Sequence, residues 1–587
     1  MRIRNLITLL LLFTVTFSST ASSLLRFPAA NVTLEHLDPT LPPALTAKTP
    51  PKCSILVLHH VFANTAGEPP AVSNYVHPTE CPFPWPRVVL ELSIAASDVQ
   101  KDRIAAVWLD GAELLRTATP LPMAPGTFWT VQKDVTRYAA LFRRLCGVGA
   151  TTTGVVSMML ENSNATLPGA FAANVTLHFY RGPLSGQRFG YMIHPTAKDI
   201  YRRPADIILP VSQDNGECTT GFWFRLQNDT QIPTAPIAIP RNTQRAVLEI
   251  FASYHAHDET WYANPLRSAY TAAAPSPTDG GFRQIYATID GQFVGGHIPF
   301  PVIYPSSVNP YFWSPVAAIG AFNLPTYDLD LTPFLSILLD GQPHEIGLGV
   351  RDSQPYWLLA GNVHLWVDEW SDVVSAGVVE IRAPPLKVNR HAEWRNSDGG
   401  SEINAEGLVR FSGWVSSSEG NMTTTVRQKV KFRSQVEVQN RGAVAQVEMT
   451  NKERTSTAVL RNAQQTISRV QVFVEAPLQL QISRIKAMGG AIFEKARLSH
   501  QLQEVVNLNE NGQAVGIGVL TDRQDAEGSM LKGEGQSQPV WGSGSTRSSY
   551  KYRDGNSCYL RTLTAAEGMV KADLTSASCA SVGMAEA

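Results

Sequence analysis

Short runs of β-branched and aromatic residues, punctuated by glycine, proline and aspartate, dominate the first two thirds of the chain. "RVVLELSIAAS" (87–97), "RIAAVWLDG" (103–111), "GVVSMMLE" (154–161) and "ANVTLHFY" (173–180) each predict a strand. Asp110-Gly111 predicts a tight hairpin turn, because both positions tolerate positive φ. The same order then returns. "RAVLEIFASYH" (245–255) resembles the first run, and "RQIYATIDG" (283–291) resembles the second and also ends in Asp-Gly. "YDLDLTPFL" (327–335) matches "VQKDVTRYAAL" (131–141), while "HEIGLGVRDS" (344–353) and "GNVHLWVD" (361–368) take the places of the last two strands. This recurrence predicts an all-β fold: two related antiparallel jelly-roll sandwiches side by side.

The pattern changes after residue 372. "TVRQKVKFRSQVEVQ" (425–439) alternates Val430, Phe432, Val436 and Val438 with Lys429, Lys431, Arg433 and Glu437, as a strand with one wet face does. "ISRVQVFVE" and "LQLQISRI" behave alike, so a C-terminal β-rich domain is expected. The Gly/Ser-rich stretch 528–549 reads as a mobile loop. The expected organisation is a signal peptide at 1–23, an extended segment at 24–52, a first sandwich at 53–185, a second at 186–372 and the C-terminal domain at 373–587.

Composition narrows the function. Hydrophobic residues make up 44% and charged residues 17% of 587, enough for large cores. A net charge of −1 gives no electrostatic reason to expect a nucleic-acid partner. Arg2 and Arg4, the apolar run 6–17 and the small residues 18–23 predict a secretory signal. That run is shorter than the roughly 20 residues of a membrane span, so no stable anchor is expected after cleavage. Six cysteines without a CxxC pair then suggest disulfides: Cys53–Cys81 and Cys558–Cys579, close in sequence, leaving Cys146–Cys218. N-x-S/T sequons at Asn31, Asn164, Asn174, Asn228 and Asn421 agree with the secretory route, extracellular or vacuolar.

Candidate chemistry gathers at "SYHAHDETWYANP" (253–265). In an extended backbone His255, His257 and Glu259 share one face, and two imidazoles with a carboxylate can bind a metal, given a further nitrogen from His297 or His344. Ordinary hydrogen bonding or substrate contact are the alternatives. By the internal repeat this loop corresponds to "SDVQKDRI" in the first copy, which carries Asp102 and Arg103. Side-by-side sandwiches would bring the two acidic loops to one cleft, the kind of interface that ligand sites favour. Glu161 ends a strand nearby. Trp261, Tyr262, Phe312 and Trp313 are either core or a sugar-stacking wall. No G-x-S-x-G, phosphate loop, dinucleotide fingerprint or H-E-x-x-H occurs.

"DETWYANP", "PFPVIYPSSVNPYFWSPVAAIGAFNLPTYDLDLTPFL", "LLDGQPHEIGLGV", "NVHLWVDEW" and "KDRIAAVWLDGAELLR" resemble the plant and fungal peptide-N-glycosidase A family over nearly the whole chain after the signal. The resemblance implies a secreted amidase that cuts between an asparagine side chain and the proximal GlcNAc of an N-glycan, giving aspartate and a glycosylamine. It implies N-glycopeptides and denatured glycoproteins as substrates, and no cofactor or metal. The more distant bacterial peptide-N-glycosidases imply Asp102 of the Asp-Arg pair as the essential aspartate. They imply Glu259 as an interface glutamate, with Asp258 its competitor, and Glu161 as a further acid. Arg103 would support Asp102, and His255, His257, Asp258, Trp261 and Trp313 would contact substrate. An endoglycosidase or a non-catalytic N-glycan-binding lectin remains the alternative.

Overall fold

A computed structural model describes residues 34–40, 50–143, 153–163, 167–180, 203–214, 219–266, 279–395, 398–534, 539–553 and 558–577. The expected signal peptide lies outside them, as do Cys146, Cys218, Cys579, Asn31 and Asn164.

The first sandwich follows β1 (Glu35–His36) and contains β2 (Cys53–Phe62), β3 (Ala71–Val76), β4 (Arg87–Ala96), β5 (Ile104–Leu109), β6 (Ala112–Ala118), β7 (Phe128–Asp134), β8 (Thr153–Leu160) and β9 (Phe171–Tyr180). One sheet has the order β1-β7-β4-β9-β2, and the facing sheet β3-β8-β5-β6. A Cys53–Cys81 disulfide ties the start of β2 to the loop before β4. Cys558 is disulfide-bonded too, and its expected partner Cys579 is not among the described residues.

The second sandwich contains β10 (Ile207–Val211), β11 (Phe224–Leu226), β12 (Thr234–Ile237), β13 (Thr243–Tyr254), β14 (Gln284–Ile289), β15 (Gln292–His297), β16 (Thr326–Asp330), β17 (His344–Arg351) and β18 (Trp357–Val367). Its sheets run β16-β13-β18-β10, with β11 also on β18, and β12-β17-β14-β15. Replacing β2–β9 by their counterparts converts one set of orders into the other. Both are jelly rolls, and every segment paired in the sequence repeat occupies the equivalent strand. Asp110-Gly111 and Asp290-Gly291 make equivalent hairpins, with positive φ at all four residues.

The sandwiches are packed together along a covered seam. Every residue of β5 and of β6 is buried, and β13 and β18 are nearly so. On β5, Ala105, Val107 and Leu109 face their own core, while Ile104, Ala106 and Trp108 pack into the core of the second sandwich. Two-sided burial is why "RIAAVWL" reads as a continuous apolar run rather than an alternation. Polar groups pin the seam. The buried Arg116 guanidinium bonds both carboxylate oxygens of Glu113 at 2.7 Å and the Leu358 carbonyl at 2.5 Å, and Asn362 exchanges bonds with the Glu113 backbone at 3.1 and 2.8 Å.

The third unit is one large antiparallel sheet, from β19 (Ser375–Arg382) through β20 (Lys387–Arg395), β21 (Asp398–Ser417), β22 (Gly420–Gln439), β23 (Val444–Arg461), β24 (Gln465–Lys486), β25 (Ile492–Glu510), β26 (Gln513–Lys532), β27 (Pro539–Arg553) and β28 (Cys558–Ala566) to β29 (Met569–Ser576). Its alternation is the predicted one. Val430, Phe432 and Val436 pack into the core of the second sandwich, and Lys429, Lys431 and Arg433 are exposed. The described residues of 528–549 are mostly strand, in β26 and β27, and not the expected loop. Its glycines serve close approach, since a Cβ at Gly542 or Gly544 would overlap Tyr311 of the second sandwich.

Candidate active site at the seam

The loop after β4 and the loop after β13 are topologically equivalent, and they converge. Asp102 arrives two residues before β5. Glu259 arrives through a one-turn 3-10 helix, Ala256–Asp258, whose backbone is fastened to the second sandwich: His255 N–H to Tyr356 O at 3.0 Å, Tyr356 N–H to His255 O at 3.2 Å, and His257 N–H to Pro355 O at 2.8 Å. Both carboxylates are half-buried and meet at one serine. The Ser306 N–H donates to Asp102 Oδ2 at 3.3 Å, and the Ser306 hydroxyl donates to Glu259 Oε1 at 3.5 Å.

Electrostatics separates the pair. Burial pushes Glu259 up to about 7, the Asp102 charge adds to that, and the Ser306 bond and Lys101 oppose it. Burial also raises Asp102, against bonds from Ser306 and the nearby charge of Arg103. A charge on Asp102 favours the protonated form of its neighbour Glu259. Two carboxylates in unlike environments are thereby held side by side.

Arg103 does not grip Asp102 directly. Its guanidinium bonds Asn162 Oδ1 at 3.1 Å, Gln100 Oε1 at 3.2 Å and Ser163 O at 3.0 Å, which locks the loop that carries Asp102. Glu161 pairs with Arg225 of β11 at 2.6 Å, a bridge between the sandwiches. Arg225 also begins a run of four planar groups. The Arg225 guanidinium lies 4.2 Å from the Tyr356 ring centroid, Tyr356 stacks on His255 at 5.1 Å, and His255 stacks on Tyr304 at 5.8 Å.

Several expectations are corrected here. The backbone is not extended past His255: Ala256 has φ of 52° and opens the 3-10 turn, so His255, His257 and Glu259 do not share a face. His255 is enclosed between Tyr304 and Tyr356, bonds Ser253 Oγ at 3.0 Å, and burial lowers it to about 3. His257 is exposed. Among the described residues no three His, Cys, Asp or Glu side chains are grouped to hold a metal ion. Asp258 points inward. It is fully buried and accepts bonds from Arg283 Nε at 2.8 Å, Arg283 Nη2 at 2.5 Å, Gln354 N at 2.8 Å and Trp357 Nε1 at 2.6 Å. Of the two candidates, Glu259 is therefore the one left half-buried beside Asp102 at the seam. Trp261 and Trp313 are 0% and 2% exposed and belong to the core, so neither offers a ring face to a sugar. Ser306, Tyr304, Tyr356 and Arg225 escaped sequence reasoning. The Tyr-Pro-Ser-Ser string at 304–307 is a turn signature, and it was the available clue.

Fold and site together describe a tandem jelly-roll protein with paired carboxylates at the seam. Residues 39–384 match the family peptide N-acetyl-β-D-glucosaminyl asparaginase amidase A, and the chain belongs to that family. It is 32% identical over 553 residues, 92% of either chain, to peptide-N4-(N-acetyl-β-glucosaminyl)asparagine amidase A of Prunus dulcis. It is also similar to a solved structure of recombinant peptide:N-glycanase F, at 15% identity and a TM-score of 0.33, over 54% of this chain and 96% of that one. The jelly-roll assignment rests on strand order and not on that last likeness.

Proposed function

We propose that the chain hydrolyses the amide between an asparagine side chain and the proximal GlcNAc of N-glycans on glycopeptides, with Asp102 and Glu259 as its catalytic pair. The observation that carries this reading is the convergence of the two carboxylates on Ser306, each from a different sandwich. Ionised Asp102 takes a proton from water as the water oxygen attacks the side-chain carbonyl carbon. Glu259, protonated below about pH 7, delivers its proton to the departing nitrogen as the C–N bond breaks. The products are an aspartate side chain and a glycosylamine. Arg103 holds the Asp102 loop and biases it toward the ionised form. The Glu161–Arg225 bridge ties the two sandwiches together.

The signal-like N-terminus and the sequons support a protein of the secretory pathway, extracellular or vacuolar. Among the described sequons, Asn228 lies in a loop, Asn421 lies at the start of β22, and Asn174 lies on β9, with His59 Nδ1 at 2.7 Å from its Oδ1.

The test is a glycopeptide assay with Asp102→Asn. The reading expects loss of glycan release by about 10²-fold or more, the scale of a lost general base, with glycopeptide binding retained. Full activity in that variant removes Asp102 from the mechanism.

A further inference from the structure

We propose that Ser306 is a positioning residue of this site: one turn of the second sandwich holds Asp102 through its backbone and Glu259 through its hydroxyl, and so sets the spacing of two carboxylates from different sandwiches. The inference rests on the catalytic reading of Asp102 and Glu259.

The turn is built for the task. Residues 304–307 close on themselves, with the Ser307 N–H bonded to Tyr304 O at 3.0 Å and the Ser307 hydroxyl to the same oxygen at 2.7 Å. Pro305 occupies the second position, where its fixed φ favours such a turn. Tyr304 anchors one end in the core, stacked on His255 and packed 5.2 Å from the Tyr254 ring. The Tyr262 hydroxyl reaches Ser307 Oγ at 3.4 Å and steadies the other end. Between these fixed points Ser306 is exposed, with no part in the core. Its polar groups go to Asp102 across the seam and to Glu259.

A hydroxyl is suited to this place because it donates to ionised Glu259 and accepts from the protonated acid. The bond lowers Glu259 against burial. The other groups around Glu259 are Asp102 and Lys101 from the first sandwich and Tyr262, Tyr304 and Tyr356 from the second, and around Asp102 there is Arg103. Removing the hydroxyl leaves all of these in place and keeps the backbone N–H on Asp102, while Asp102 also loses the lowering effect of the Ser306 side chain.

The experiment measures kcat and KM against pH with a glycopeptide for wild type, Ser306→Ala and Ser306→Thr in the full chain. Ser306→Ala is expected to fold with wild-type thermal stability and to lose roughly tenfold or more in kcat, with a smaller change in KM. Its high-pH limb should move upward, because Glu259 loses a bond that favours its ionised form. Ser306→Thr should restore both rate and limb. A Ser306→Ala enzyme with wild-type kcat and an unmoved limb overturns the proposal. Lost activity that follows lost thermal stability, with the limb unmoved, also overturns it. If wild type is insensitive to Asp102→Asn, the carboxylate reading itself fails and the role of Ser306 falls with it.

Discussion

Asp258→Asn removes one charge from a site where the structure leaves no slack. Oδ2 of Asp258 accepts three bonds, from Arg283 Nε, Gln354 N and Trp357 Nε1, while Oδ1 accepts one, from Arg283 Nη2. Asparagine can keep its oxygen at the first position. Its amide then points a donor at the Arg283 donor, and a guanidinium that is 0% exposed loses its counter-charge. Breaking a buried pair in this way costs about 3–5 kcal/mol, a large share of the roughly 5–15 kcal/mol that stabilises a domain. At about 2 °C per kcal/mol for a large domain, the midpoint should fall by about 6–10 °C. Differential scanning calorimetry of the two purified proteins reads the shift, and initial rates on a glycopeptide read the site. The core role of Asp258 predicts a large loss of stability with KM near wild type. A stability change below about 1 kcal/mol, together with weakened glycopeptide binding, would place Asp258 against the sugar and refute the reasoning.

Glu259→Gln keeps the shape of the side chain but cannot deliver a proton, so kcat should fall by about 10²–10⁴-fold; a variant within a few-fold of wild type excludes Glu259 as the acid. Wild-type kcat should decline as pH rises through about 7, where Glu259 ionises, and a rate that climbs steadily to pH 9 contradicts that assignment. Asp522 is buried in the third sheet, one of its oxygens has no partner, and burial with the Asp38 charge raises it well above its ordinary 3.8. Its folded form therefore binds more protons than its unfolded form, and stability is lost as pH rises above about 4 through the folded value. Asp522→Asn, which does not titrate, should melt higher than wild type at pH 7, with the gap closing toward pH 4; a variant that melts lower at pH 7 refutes this.

The fold was legible because its signals are local. Two Asp-Gly turns, alternation in β22 and the recurrence of five segments each report short-range geometry, and the correspondence of strands between the two sandwiches followed from the repeat. The partnership of Asp102 with Glu259 was legible for the same reason, since equivalent loops of duplicated sandwiches emerge at equivalent ends. What sequence could not supply was direction. In a strand Asp258 and Glu259 would alternate, and the reader must guess which faces inward. In the 3-10 turn that Ala256 opens, successive side chains instead rotate by about 120°, and the buried Arg283 decides that Asp258 turns in. Trp261 and Trp313 carried the ambiguity of any tryptophan, equally suited to core and to sugar. At 528–549 glycine and serine suggested a loop by composition, yet Gly542 and Gly544 are strand residues kept small by the Tyr311 backbone and ring.

The central claim is that the bond broken is the side-chain amide, with Asp102 and Glu259 breaking it. The most direct measurement is digestion of an N-glycopeptide in H₂¹⁸O, with both fragments read by mass spectrometry. The predicted result is a peptide whose glycosylated asparagine has become aspartate carrying one heavy oxygen, beside an intact glycan, and neither product with Asp102→Asn. A peptide that keeps one GlcNAc on an intact asparagine would contradict it and assign the chain to the endoglycosidases, and binding without either fragment would make it a lectin.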